Sequence, residues 1–213
     1  MPTPNRTTYP GAISTIWARA SKLTDFKPIE PPFERFLTGG HRNSLGRTVE
    51  IVEAIEGASV SLQAQWIEAL FACYHSSDEL VRLRTSNAMK RLIRAQPTRF
   101  DGFAERYLGF VAHIDQDSCR WTTAQLFGEQ LARCDEGQIA RASEHFFTYL
   151  GTNDDWIVVN ACIKTLSNMA LGRIHIEARL RPMLENYTSD RRKSVANAAR
   201  KGLIALDSGK PFK

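Results

Sequence analysis

Side chains able to do chemistry are scattered along this chain rather than gathered. The five histidines are His41, His75, His113, His145 and His175. None forms a His-Glu-x-x-His pair, and none has a Cys or His at ligand spacing, so no metal is expected. The four cysteines, Cys73, Cys119, Cys134 and Cys162, form no Cys-x-x-Cys. Each sits in an apolar helical stretch, the setting of a small buried hydrophobe in a reducing compartment. "GEQLARCDEG" carries carboxylates, but no second carboxylate stands in a cleft relation to them, and Gly-x-Ser-x-Gly is absent. "LTGGHRNSLGR" (37–47) lacks the spacing and the Lys-Ser/Thr of a phosphate-binding loop. It reads as a flexible joint, with Asn43 or Ser44 capping the helix that follows. No enzyme and no cofactor is expected.

What remains is recognition chemistry. The stretch "SCRWTTAQLF" (118–127) reads as a helix with one buried face. Trp121 falls off that face, and a large aromatic pointing away from a core asks for a partner.

The elements that position such residues follow from periodicity. Six of the nine prolines lie in the first 32 residues. Residues 1–41 therefore read as an irregular Pro-rich arm with one short helix, packing through Trp17 onto the body or onto a partner. After it, four stretches align without gaps: "VRLRTSNAM" (81–89), "CRWTTAQLF" (119–127), "VVNACIKTL" (158–166) and "VANAARKGL" (195–203). Their starts are 38, 39 and 37 residues apart, and a weaker copy, "SLGRTVEIV", begins at 44. A fixed period of this length is the signature of stacked helical hairpins. The first column is Val81, Cys119, Val158 and Val195. The fifth is Thr85, Thr123, Cys162 and Ala199. The ninth is Met89, Phe127, Leu166 and Leu203. Positions i, i+4 and i+8 share one helical face, so these columns are the expected core. Asp78, Asp117, Asp154 and Asp190 precede the stretches as N-cap candidates. Partner helices are expected near 59–74, 98–113, 135–150 and 173–187. No segment shows period-2 alternation. The prediction is an all-α solenoid of four to five hairpins over 42–206, followed by a basic tail, 207–213.

The second helices resemble those of the HEAT-repeat superfamily, in which Asp is followed by Val-Arg, small residues and Ala-Leu. "SSDELVRLRTSNAMKRL" follows that pattern closely. "QDSCRWTTAQLFGEQL" keeps Arg120, whereas Val159 and Ala196 replace the Arg in the later copies. The chain looks like a small stand-alone bacterial HEAT-repeat protein. The resemblance implies a right-handed, armadillo-like superhelix whose second helices line a surface that holds a protein or nucleic acid. It also implies that Arg82 and Arg120 bond to an Asp of an adjacent repeat, with Asp78 and Asp117 available. It extends to the architecture of DNA alkylation-repeat glycosylases, but no catalytic motif carries over.

Two columns leave the core. The third is Leu83, Trp121, Asn160 and Asn197, and the seventh is Asn87, Gln125, Lys164 and Lys201. Stacking would place them in adjacent ladders. Such a face is either solvated, with Trp121 packed on a neighbouring loop, or a surface for an extended peptide or a nucleic-acid backbone, read by Trp121, Asn87, Gln125, Asn160, Lys164, Asn197 and Lys201. The net charge is +5, and the segment 173–213 carries ten Lys/Arg and four Asp/Glu, a net of +6. Arg191, Arg192, Lys193 and Arg200 therefore make nucleic acid the alternative partner, unless they form an ordinary solvated face. The N-terminus has no apolar h-region, and no run of about eighteen apolar residues exists. A cytoplasmic, non-catalytic interaction module away from the membrane is the expectation.

Overall fold

A computed structural model describes residues 29–213, and every regular element among them is helical. The α-helices are α1 (Glu34–Leu37), α2 (Thr48–Gly57), α3 (Val60–Ala72), α4 (Glu79–Ala95), α5 (Ala104–Gly109), α6 (Asp117–Glu129), α7 (Glu136–Thr152), α8 (Trp156–Ala170), α9 (Ile174–Tyr187) and α10 (Lys193–Ser208). Alternate helices form one row, in which α2, α4, α6, α8 and α10 each pack on the next. The intervening helices pack beside that row, α3 against α2 and α4, α7 against α6 and α8, and α9 against α8 and α10. No helix among the described residues is long and apolar enough to cross a membrane.

The aligned columns are the core of that row. Val81, Cys119, Val158 and Val195 have no exposed surface, nor do Thr85, Thr123, Cys162 and Ala199. Met89, Phe127 and Leu166 are equally buried. Leu203 is only partly so, because no further helix follows α10 in the row. Small residues set the helix spacing. A Cβ on Gly128 of α6 would lie 2.4 Å from Thr165 Oγ1, and one on Gly202 of α10 would lie 2.7 Å from Ser167 Oγ. Both glycines let a neighbour approach α8 more closely than alanine would allow. Thr165 uses that proximity and donates its hydroxyl to Ala124 O.

The caps differ in part from expectation. Asp78 caps α4 and accepts from the Leu80 N–H. Its acidity is raised by the hydroxyl of Thr38 and by that amide, which favour the carboxylate. Asp117 lies one residue inside α6 and Gln116 takes the cap position. α8 is capped by Asp155, the second acid of "NDDW", rather than by Asp154. Asp190 precedes α10 by two residues and is held by Arg192 instead of capping. Asp135 and Gln138 form a full capping box on α7. The helix after "LTGGHRNSLGR" begins only at Thr48, with Arg47 at its cap position, so neither Asn43 nor Ser44 caps it. The expected helix at 98–113 is three short pieces. Pro97 opens the first, and Gly102 and Gly109 end the first and second, consistent with the low helix propensity of glycine.

The expected flexible joint is organised around one side chain. Arg84 is 2% exposed. Its guanidinium donates to the carbonyls of Leu37, Thr38, Gly39, His41 and Ser44. Gly46 closes the wrap at φ +53°, where an added Cβ would lie 2.8 Å from Arg84 Cζ. Phe33 and Leu37 are fully buried in the same region, so residues 29–37 belong to the body. Trp17 and the short helix expected around it lie outside the described residues.

Contacts between hairpins repeat at nearly constant separation. Arg106 pairs with Glu68, Arg141 with Glu105, Arg173 with Glu136 and Arg179 with Glu144, at separations of 35 to 38 residues. Tyr149 and Tyr187 each donate to a carbonyl 37 residues earlier. These ion pairs lie mainly on the intervening helices, with Arg94–Glu129 the counterpart between α4 and α6 of the row, and none of them involves Arg82 or Arg120. Arg82 instead donates to Gln116 Oε1 and to Ser76 O, and Arg120 pairs with Asp115 of its own preceding turn.

Candidate functional site

Asp155 accepts from the Ile157 and Val158 amides and fixes where α8 begins. From that start, Trp156, Asn160, Lys164 and Asn168 follow at four-residue steps and share one face. They line a groove of about 460 Å³ whose opposite wall is Gln125, Gly128 and Glu129 of α6, with Arg94 of α4. Gly128 and Thr165 form its floor, at the close approach described above. Arg94 also lines a second hollow of about 470 Å³, with Val49, Val52, Glu56, Asn87, Lys90 and Arg91. The two hollows are therefore neighbours. Bonds from Lys90 to Gln125 Oε1 and from Arg94 to Glu129 cross from α4 to α6 between them.

The groove combines several unpartnered groups with one exposed aromatic. Arg94 is neutralised by Glu129. Lys164 is exposed and makes no ion pair among the described residues. Asn160 Oδ1 is buried without a hydrogen-bond partner. Trp156 is 52% exposed. At the far end, Asn168 holds the chain's own tail. Its Oδ1 accepts from the Phe212 N–H at 2.7 Å, and its Nδ2 donates to Phe212 O at 3.4 Å. Lys164 Nζ lies 5.9 Å from the centre of the Phe212 ring. The arrangement offers main-chain pairing, one positive charge and a flat apolar surface within a single groove.

No family model, no curated protein and no solved structure matches this chain.

Of the residues expected on the exposed ladders, Gln125, Asn160 and Lys164 meet in the groove. Asn87 lines the neighbouring hollow, its amide donating to Leu83 O of its own helix. Asn197 and Lys201 are exposed on α10, with Asn197 Oδ1 accepting from Arg200. Trp121 does not point away from the core. It is partly buried and packs against it, because α6 lies between α4 and α8 and little of its circumference is free. The exposed tryptophan on this row is Trp156. Extending the two outward columns by four residues in each direction would have found both Trp156 and Asn168.

The C-terminal cations divide. Arg192 is paired with Asp190 and donates to Asp154 O. That pairing holds the Asp190 carboxyl down at about 2. Arg200 donates to Asn197 Oδ1 and Thr188 O. Arg191 and Lys193 are exposed, with no ion pair among the described residues.

The cysteines among the described residues are not activated. Burial pushes the thiols of Cys73, Cys119 and Cys134 up to about 11, and that of Cys162 higher still. They are thiols, not thiolates, at neutral pH. His113 and His145 stack edge to face, and burial and the neighbouring ring lower the His145 pKa. Among the described residues, no three His, Cys, Asp or Glu side chains gather as a metal set.

Proposed function

We propose that this chain is a non-catalytic interaction module and that the α6–α8 groove binds an extended peptide segment of a protein partner. The observation that carries the reading is a groove of about 460 Å³ that already binds main chain at one end, where Asn168 pairs with Phe212. Lys164 and Trp156 add an exposed ammonium and an exposed aromatic surface in the same wall. The repeating contacts between hairpins support the wider reading of a right-handed solenoid of the HEAT type, with the row α2 to α10 as its lining. Peptide is preferred to nucleic acid because the densest cationic cluster is partly satisfied internally, Arg192 by Asp190.

The test is selection of a displayed random-peptide library on the purified protein, repeated with Trp156→Ala and Lys164→Ala. Retained peptides lost from both variants at unchanged melting temperature support the reading. Peptides indifferent to both substitutions, or binding only of nucleic acid that weakens steeply with salt, would refute it.

A further inference from the structure

The C-terminal tail indicates what the groove holds and how it is kept from holding it. α10 ends at Gly209, whose φ of +64° is left-handed, and the Gly209 and Lys210 amides close onto Leu206 O and Ala205 O. This reversal sends residues 210–213 back to α8. There, Phe212 is gripped at both main-chain polar groups by the Asn168 amide, and its ring packs against the core edge. One side-chain amide satisfying both the N–H and the C=O of one residue is sequence-independent recognition of extended main chain. Asn168 and Asn160 stand two turns apart on one face, about 12 Å along the helix axis, a distance that extended chain covers in about four residues. Asn168 is occupied by the tail, while Asn160 has no hydrogen-bond partner among the described residues.

The tail is a poor electrostatic match for the place it occupies. Its flanking residues are Lys210 and Lys213, and the cation between the two asparagines is Lys164. The groove walls carry Arg94 and Lys164 against Glu129 alone, a net of one positive charge. A ligand with carboxylates where the tail has lysines would be better matched.

Resting on the reading that the groove takes a peptide, we propose that Lys210–Lys213 is a displaceable intramolecular occupant of its end. The partner is an extended acidic segment that presents an aromatic residue to the Phe212 position. Asn168 pairs with its main chain and Lys164 with its carboxylate. A bound tail lowers the apparent affinity of that partner by the fraction of molecules in which it is released.

The experiment uses the full chain in four forms: wild type, Phe212→Pro, Phe212→Ala and the Phe212→Pro/Asn168→Ala double variant. Phe212→Pro removes both the ring and the N–H that Asn168 accepts. A phage-displayed random dodecapeptide library is selected on Phe212→Pro, and a selected peptide is synthesised with fluorescein for anisotropy titration. The expected peptide carries an aromatic residue beside Asp or Glu. Its Kd is tighter for Phe212→Pro than for wild type, and binding falls at least about tenfold from Phe212→Pro to the Phe212→Pro/Asn168→Ala double variant, the tail being released in both. Phe212→Ala, which keeps the main-chain pair, should lie between wild type and Phe212→Pro. Circular dichroism melts establish that each variant is folded. Peptides that need Trp156 and Lys164 but ignore Asn168 and the tail would overturn this inference while leaving the peptide groove standing. A library that yields no binder to any form would overturn both.

Discussion

The two sides of the helical stack treat their polar groups in opposite ways. On the intervening helices, Arg106, Arg141 and Arg179 each meet a glutamate of the preceding hairpin. On α8, Lys164 meets no carboxylate and Asn160 Oδ1 meets no donor among the described residues. The first surface is held together by charge pairs across hairpins. The second has pairs as well, Arg94 with Glu129 and Lys90 with Gln125, but it leaves Lys164 and Trp156 exposed beside Asn168, which holds main chain. Polar residues alone therefore do not mark a site here, because both surfaces have them.

The comparison breaks if substitutions on the two sides act alike. The largest effect belongs to neither surface but to the core that separates them. Phe127→Ala should cost about 3–5 kcal/mol in a urea titration, since its ring is fully buried against Phe100 and Phe146. A loss below about 1 kcal/mol would mean that the row is not the core. Arg84→Met should cost about 1–3 kcal/mol, because it removes five bonds to the 37–44 loop and orphans the buried Leu37 carbonyl. Rapid proteolysis within 37–47 in that variant would confirm where the cost falls.

Arg84 also shows how far the sequence could be read. Its column holds Thr122, Ala161 and Ala198 in the later copies, so a large cation among small residues was the one available signal. That signal could say that the position was unusual. It could not say that the preceding glycine loop would wrap it. The aligned core columns were legible because burial on a helix repeats every few residues, and those eleven fully buried positions follow directly. Trp121 was misplaced because periodicity describes one helix. It does not reveal that neighbours on both sides of α6 cover the flanks as well. Asn168 and Phe212 depend on a chain reversal after α10, and a contact across 44 residues leaves no local trace.

Acid separates the ion-paired groups from the rest. The Asp190 carboxyl is lowered to about 2 by Arg192. Its contribution is complete above the ordinary 3.8 and is lost as pH falls towards about 2. Asp190→Asn should therefore flatten the stability loss across that window and leave the neutral-pH partner binding unchanged. An identical pH profile would remove Arg192 from the structural account and return it to the cationic surface. Arg141→Met should cost less than about 1 kcal/mol, as exposed ion pairs generally do, with no change in binding. Trp156→Ala should alter stability by no more than about 0.5 kcal/mol yet abolish binding. Trp121→Ala should cost clearly more in stability than Trp156→Ala, since its ring packs on the core.

The most direct test places a photo-reactive benzoylphenylalanine at Ile157, on the groove wall, and in a second sample at Ala140, exposed on α7. Each is irradiated with the selected fluorescent peptide. The account predicts a covalent adduct from position 157, suppressed by excess unlabelled peptide, and none from position 140. Equal labelling at both positions, or labelling at 140 alone, would contradict the claim that the α6–α8 groove is the surface that binds.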